Sequence, residues 1–192
     1  HVPKCAGSSV EGYLARRFGP LAFVNTRFLS DPEASRWTKS SPQHLPLDAF
    51  QKLIPADWIA SSFAVVRHPV KRLVSAFQFQ VEVEKTVARL WSIDEWFDDW
   101  LKRKDAEPFG YDNHIRPMSD LVPADAAWFQ MEQGLDEVVV FLRLFVHRVA
   151  TALGVLQTAV GEDAQAPRAG VVNTVGAVGR RHRVAALHGA NR

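Results

Sequence analysis

The feature that most limits the fold is a strand-like run that passes directly into a helix. Ile59 to Val66 is the strongest strand candidate, with Phe63, Val65 and Val66 apolar, and it ends at Arg67-His68-Pro69. The residues that follow have helical spacing, with Val70, Leu73, Val74, Phe77 and Val81 on one face. Pro69 stands near the first turn, where its missing N–H costs nothing. Strand, short turn and helix make one α/β unit, and anions bind at the carboxyl ends of such strands. Arg67 stands at that end, and Ser75 lies eight residues on, about two turns into the helix. A planar guanidinium suits phosphate, which it grips through two parallel hydrogen bonds. Lys71 and Arg72, taken separately, read as a solvated basic face.

A second loop-to-helix junction opens the chain. His1-Val2-Pro3-Lys4-Cys5-Ala6-Gly7-Ser8-Ser9-Val10 leads into apolar residues at Val10, Leu14 and Phe18, and Gly19-Pro20 closes that helix. The start of a helix carries unpaired N–H groups and about half a positive charge, which draws anions. Ser8 and Ser9 can cap the helix or offer hydroxyls to a phosphate, and Lys4 adds a full charge. The stretch lacks the G-x-x-x-x-G-K-[ST] pattern of ATP and GTP loops. Alone it would pass for an ordinary helix cap. Together, the two junctions suit a ligand with two separated phosphate-like groups.

Composition sets outer limits. A chain of 192 residues, 47% hydrophobic and 23% charged, suffices for one globular domain with a core. The net charge of +2 gives no argument for nucleic acid, so any basic site must come from local clustering. A single Cys excludes an intrachain disulfide framework and a Cys-rich zinc site. No apolar run nears the roughly 20 residues of a membrane span, no signal peptide is visible, and membrane association is not evident. The first motif is already under way at residue 1, which reads as a fragment with its N-terminal strand largely missing.

Between and beyond the two junctions the pattern is that of mixed helix and strand. Leu21-Ala22-Phe23-Val24 reads as a short buried strand, residues 26–46 as loop, and Leu47 to Ile54 as a helix ended by Pro55. Ser92 with Glu95 forms a capping box for a helix carrying Trp96, Phe97, Trp100 and Leu101, aromatics that read as core. Residues 104–125 read as loop and contain Asp112-Asn113-His114-Ile115-Arg116-Pro117. Ala126 to Met131 reads as a strand. Val138, Leu142, Phe145, Val149 and Leu153 mark an amphipathic helix closed by Gly154. The period fades near Gly161. Residues 1–160 therefore read as one α/β domain and 161–192 as an irregular, poorly ordered tail.

The two junctions resemble a known pair of motifs. Val2-Pro3-Lys4-Cys5-Ala6-Gly7-Ser8-Ser9 is similar to the 5′-phosphosulfate loop of sulfotransferases, and Phe63 to Phe77 resembles their 3′-phosphate motif. The likeness is to the branch of Golgi carbohydrate sulfotransferases and their bacterial relatives, over roughly residues 1–155. It implies a P-loop-like parallel sheet flanked by helices and a co-substrate, 3′-phosphoadenosine-5′-phosphosulfate (PAPS), with no metal. The sulfuryl group would pass to a hydroxyl of a carbohydrate or similar acceptor. By the motif match, Lys4 contacts the 5′-phosphate and the bridging oxygen. Cys5, Ala6, Gly7, Ser8 and Ser9 surround the phosphosulfate, and Arg67 and Ser75 hold the 3′-phosphate. A bacterial member would work in the cytoplasm and a eukaryotic one, with an N-terminal anchor, in the Golgi lumen.

An acceptor hydroxyl needs a base with a pKa near neutrality, the usual task of His. His44 lies between the motifs, where uronyl sulfotransferases of this branch carry their proposed base, and is the first candidate. His114, beside Arg116, resembles a family segment near the acceptor cleft. It is the second candidate, and both residues are expected acceptor contacts. His1 reads as part of the strand leading into the loop and His68 as structural. His147, His182 and His188 have no assigned role. Cys5 would suit a phosphatase, in which a thiolate attacks. That design wants an Arg six residues later, and position 11 is Glu. Two alternatives remain: a non-catalytic nucleotide-binding remnant, and a P-loop-type kinase. The kinase lacks both its Gly-Lys-Ser/Thr ending and an evident magnesium carboxylate.

Overall fold

A computed structural model of the chain describes residues 1–152. The expected stop at Gly154 and the tail, with His182 and His188, lie outside the described residues. The chain divides into two units, one running from His1 to Gly134 and the other beginning at Leu135. The first holds helices α1 (Gly7–Phe18), α2 (Leu47–Leu53), α3 (Pro69–Glu82) and α4 (Ile93–Arg103), with strands β1 (Phe63–Val66) and β2 (Ala127–Gln130). The second contributes α5 (Asp136–Ala152), the helix expected from its four-three spacing, which carries His147.

The architecture is helical around a small parallel sheet. β1 and β2 pair in parallel, with Phe63 opposite Ala127 and Val66 opposite Gln130. β1 is shorter than the apolar run that encodes it. Ile59, the first residue of that run, instead closes the 3₁₀ turn Ala56–Trp58, with its amide on the Ala56 carbonyl at 3.1 Å. The strand expected at Leu21-Ala22-Phe23-Val24 does not form. Phe23 adopts φ 56°, a left-handed conformation that no pleated strand accepts. Its ring meets the rings of Trp37 and Phe50, with centroids 5.9 Å away in each case.

α3 is rotated from the face its apolar spacing suggests. Val70 is 62% exposed and Val74 38%, whereas Arg72, Ala76 and Gln80 are buried. Leu73, Phe77 and Val81 flank that stripe and pack on a core of Ala76, Val87 and Trp96. The Ser92–Glu95 capping box is present at the start of α4, and it presents Trp96 and Trp100 inward as expected. Arg72 is therefore no solvated residue, and the physical reason is its hydrogen bonding. Its Nε donates to the Pro3 carbonyl at 3.0 Å, Nη1 to Arg116 at 2.8 Å and Nη2 to Asn113 at 3.4 Å. Burial lowers its pKa, which measures what desolvation costs the charge.

Close packing around the α4 tryptophans gives a direct test. A Cβ at Gly110 would overlap the Trp100 ring. Gly110→Ala is expected to lower stability by about 2–3 kcal/mol in urea unfolding. Gly12→Ala on α1, whose added Cβ meets nothing nearer than Arg16 at 3.4 Å, should be neutral or stabilising by about 0.5–1 kcal/mol.

Candidate active site

The opening loop is built of buried and left-handed residues in alternation. Val2, Pro3 and Cys5 are buried, while Lys4 and Ala6 have φ of 63° and 61°. Each left-handed non-glycine residue costs about 1 kcal/mol or more, so the surroundings must hold it there. Ala6, not a serine, is the N-cap of α1, and neither Ser8 nor Ser9 caps the helix with its side chain. The ordinary-cap reading is thereby corrected: a left-handed cap residue leaves the serine hydroxyls out of the helix end. The Ala6 carbonyl accepts the amides of Ser9 and Val10, both at 3.1 Å, so Gly7 and Ser8 precede the first bonded turn.

Both junctions open onto one cavity of about 510 Å³. Lys4, Ala6, Gly7, Ser8 and Ser9 line it from the loop, Arg67 and Ser75 from the β1–α3 junction, and His44 and His114 from elsewhere. The Arg67 guanidinium donates to the Lys4 carbonyl at 3.3 Å and lies 4.0 Å from Glu132. The Lys4 ammonium rests 3.7 Å from the centre of the Phe79 ring, a cation–π contact. Burial, then the charge of Arg67, lower its pKa, against the opposing pull of Glu84.

Two expected residues stand elsewhere. Cys5 lines a second cavity of about 440 Å³, beside Val10, Leu14 and Phe50. Burial pushes its thiol up to about 11, so it is no nucleophile at neutral pH. The Arg116 guanidinium is tied to its own loop. It donates to Asn113 Oδ1 at 2.9 Å, the Pro108 carbonyl at 2.5 Å and Asp120 at 3.4 Å.

His44 ends the 3₁₀ turn Pro42–His44 and is 8% exposed. Its Nδ1 is 2.7 Å from Asp112 Oδ2. That carboxylate also accepts the Ser41 hydroxyl and the Ser41 amide, both at 2.6 Å. Burial alone would raise the Asp112 pKa; the hydrogen bond and charge of His44, with the two bonds from Ser41, outweigh it and hold the group ionised. Asn113 Nδ2 donates to the His44 carbonyl at 2.9 Å. On its other edge, His44 Nε2 is 3.0 Å from His1 Nε2, and His1 Nδ1 is 2.6 Å from Glu11. Hydrogen bonds at all three contacts of the Asp112–His44–His1–Glu11 chain take three protons, one more than two neutral imidazoles carry. His1 is not in a strand. Its ring lies where a Gly7 Cβ would be, 2.5 Å from that point, so only glycine admits it.

Asp112 and Gln80 were not legible as site residues. Tyr111, Asp112 and Asn113 have φ of 50°, 52° and 62°, and this left-handed turn brings Asp112 under His44. The donor atoms of His44, Asp112 and His114 lie within 4.8 Å of one another, a spacing a metal could use. Two of the three groups are already joined by a hydrogen bond, and the charges of Lys4 and Arg72 reach His114, which opposes a dication. His114 is 5% exposed, and its Nδ1 faces Gln80 Nε2 at 3.2 Å. Burial first, then repulsion from His44, lower its pKa to about 3, against the pull of Asp112.

A lysine loop opening one helix, and an arginine–serine pair at a strand-to-helix junction, thus face a common cavity in an α/β framework. The chain matches the model of the sulfotransferase family over residues 1–133, and it belongs to that family. The chain matches no curated protein and no solved structure at a significant level. Membership makes it a transferase of sulfuryl groups to hydroxyl-bearing acceptors.

The depressed His114 pKa sets an acid limb. An unfolded His takes its proton near pH 6.5, the buried one near 3. Its contribution to stability is therefore complete above 6.5 and is lost as pH falls towards 3. Urea midpoints should decline across that window, and His114→Gln, which does not titrate, should flatten the decline.

Proposed function

We propose that the protein transfers the sulfuryl group of PAPS to a hydroxyl of a carbohydrate or similar acceptor, on a P-loop-like framework and without a metal. The observation that carries this is the single cavity onto which Lys4, Ser8 and Ser9 open together with Arg67 and Ser75. PAPS has phosphate-like groups at two ends, and the cavity offers Lys4 with two serine hydroxyls to one and Arg67 with the Ser75 hydroxyl to the other.

Lys4 meets the 5′-phosphate and the bridging oxygen, while Arg67 and Ser75 hold the 3′-phosphate. Sulfuryl transfer gains chiefly from positioning and from stabilising charge on the leaving phosphate. The Lys4 ammonium is half-desolvated on Phe79, so its charge acts through a low dielectric. The acceptor oxygen forms a bond to sulfur as the bond from sulfur to the bridging oxygen breaks, and that electron pair leaves with the phosphate. The hydroxyl proton passes to His44, the preferred base, whose Nδ1 proton is held by Asp112. His44 Nε2 then receives it in place of its contact with His1.

Calorimetry with 3′-phosphoadenosine-5′-phosphate (PAP) tests the reading. Lys4→Ala and Arg67→Ala should each weaken binding by at least about tenfold, the scale of one lost charge-assisted contact. Unchanged affinity in both variants would refute it. His44→Ala should keep PAP binding and lower transfer from labelled PAPS by about 10²–10⁴-fold.

A further inference from the structure

We infer that His114 acts as a neutral hydrogen-bond donor to the transferring sulfuryl group, and that Gln80 and Thr86 fix it in that form. The inference rests on the sulfotransferase reading above and assigns one more side chain of the same cavity.

The chain of contacts that fixes His114 begins at Thr86. Its hydroxyl donates to Gln80 Oε1 at 2.6 Å, and Gln80 is 2% exposed on α3. With its oxygen engaged by Thr86, the amide turns Nε2 towards His114 Nδ1, 3.2 Å away. An amide nitrogen only donates, so His114 Nδ1 must accept through its lone pair. A neutral imidazole then carries its one proton on Nε2. Burial keeps the ring neutral, with its pKa near 3.

Among the described residues no hydrogen bond takes that Nε2–H, and His114 lines the cavity. Its ring centre is 5.1 Å from those of His44 and Phe79, between the proposed base and the ring that carries Lys4. His114 cannot serve as the base while Gln80 occupies its lone pair. It can donate to a sulfuryl oxygen throughout transfer without gaining or losing a proton. A fixed neutral donor of this kind stabilises developing charge without reorganisation, and its loss typically costs about 10²–10³ in rate. Gln80 and Thr86 act through His114 and are positioning residues.

Nitrogen-15 spectra of histidine-labelled protein read the tautomer directly. The expected His114 signals are those of an Nε2–H, Nδ1-unprotonated ring from pH 5 to 8, with and without PAP. Gln80→Leu should lose the single tautomer and slow transfer while leaving PAP affinity within about twofold. Among His114 variants that match the wild-type circular dichroism, His114→Gln keeps an N–H and should retain transfer within about tenfold. His114→Ala should lose about 10²–10³-fold. An Nδ1–H tautomer, or equal losses in the Gln and Ala variants, would overturn the proposal. Failure of the wild type to bind PAP would instead sink the proposed function, and the tautomer is read independently of that result.

Discussion

The site depends on one buried cation. Arg72 is 6% exposed, and its guanidinium donates only to backbone carbonyls, those of Pro3, Asn113 and Arg116. These carbonyls belong to the opening loop and to the segment carrying Asp112 and His114. α3 therefore staples the opening loop to the histidine cluster through a single side chain. Hydrogen bonds from a charged donor contribute about 1.5–3 kcal/mol each, and losing the donor would leave the buried Pro3 carbonyl without this partner, while the Asn113 carbonyl would keep the Arg116 amide. The same guanidinium adds positive charge beside His114, which lines the cavity.

From that staple the rest of the site follows. Pro3 is fixed, so Lys4 and Ala6 hold their left-handed backbone and α1 begins at Gly7 with an uncapped turn. The far segment is fixed, so Asp112 reaches both Ser41 and His44. His44 in turn touches His1, which fits only because Gly7 has no side chain. Opening loop and histidine cluster are thus one connected hydrogen-bonded assembly.

Sequence alone carried the local half of this. The Lys4–Ser9 loop, the Arg67–Ser75 junction, the helix starts and the capping box are written in contiguous residues whose spacing has a direct physical meaning. What was not legible depends on long-range geometry. Arg72 looked like a surface residue because Val70 and Val74 beside it are apolar; three carbonyls from distant segments turned the helix the other way. The Leu21–Val24 run has strand composition, but Phe23 turns left-handed to meet Trp37 and Phe50. Asp112 and Asn113 are residue types that tolerate a left-handed backbone, but nothing in the local sequence announces that the turn brings the Asp112 carboxylate to Ser41 and His44, 71 and 68 residues earlier.

That triplet has a consequence of its own. Tyr111, Asp112 and Asn113 all sit in the left-handed region, which costs a residue such as Tyr111 about 1–2 kcal/mol and Asp or Asn less, and the hydrogen bonds of Asp112 and Asn113 to the His44 region offset it. The turn works as a loaded spring with its catch in the cavity floor. Tyr111→Gly would relax the backbone, but it would also remove a ring that packs on Trp96 and Trp100 and accepts a hydrogen bond from Arg103, so the core holds the strained residue in place. Laboratory selection for heat resistance in this chain would therefore be expected to leave the strained tyrosine in place.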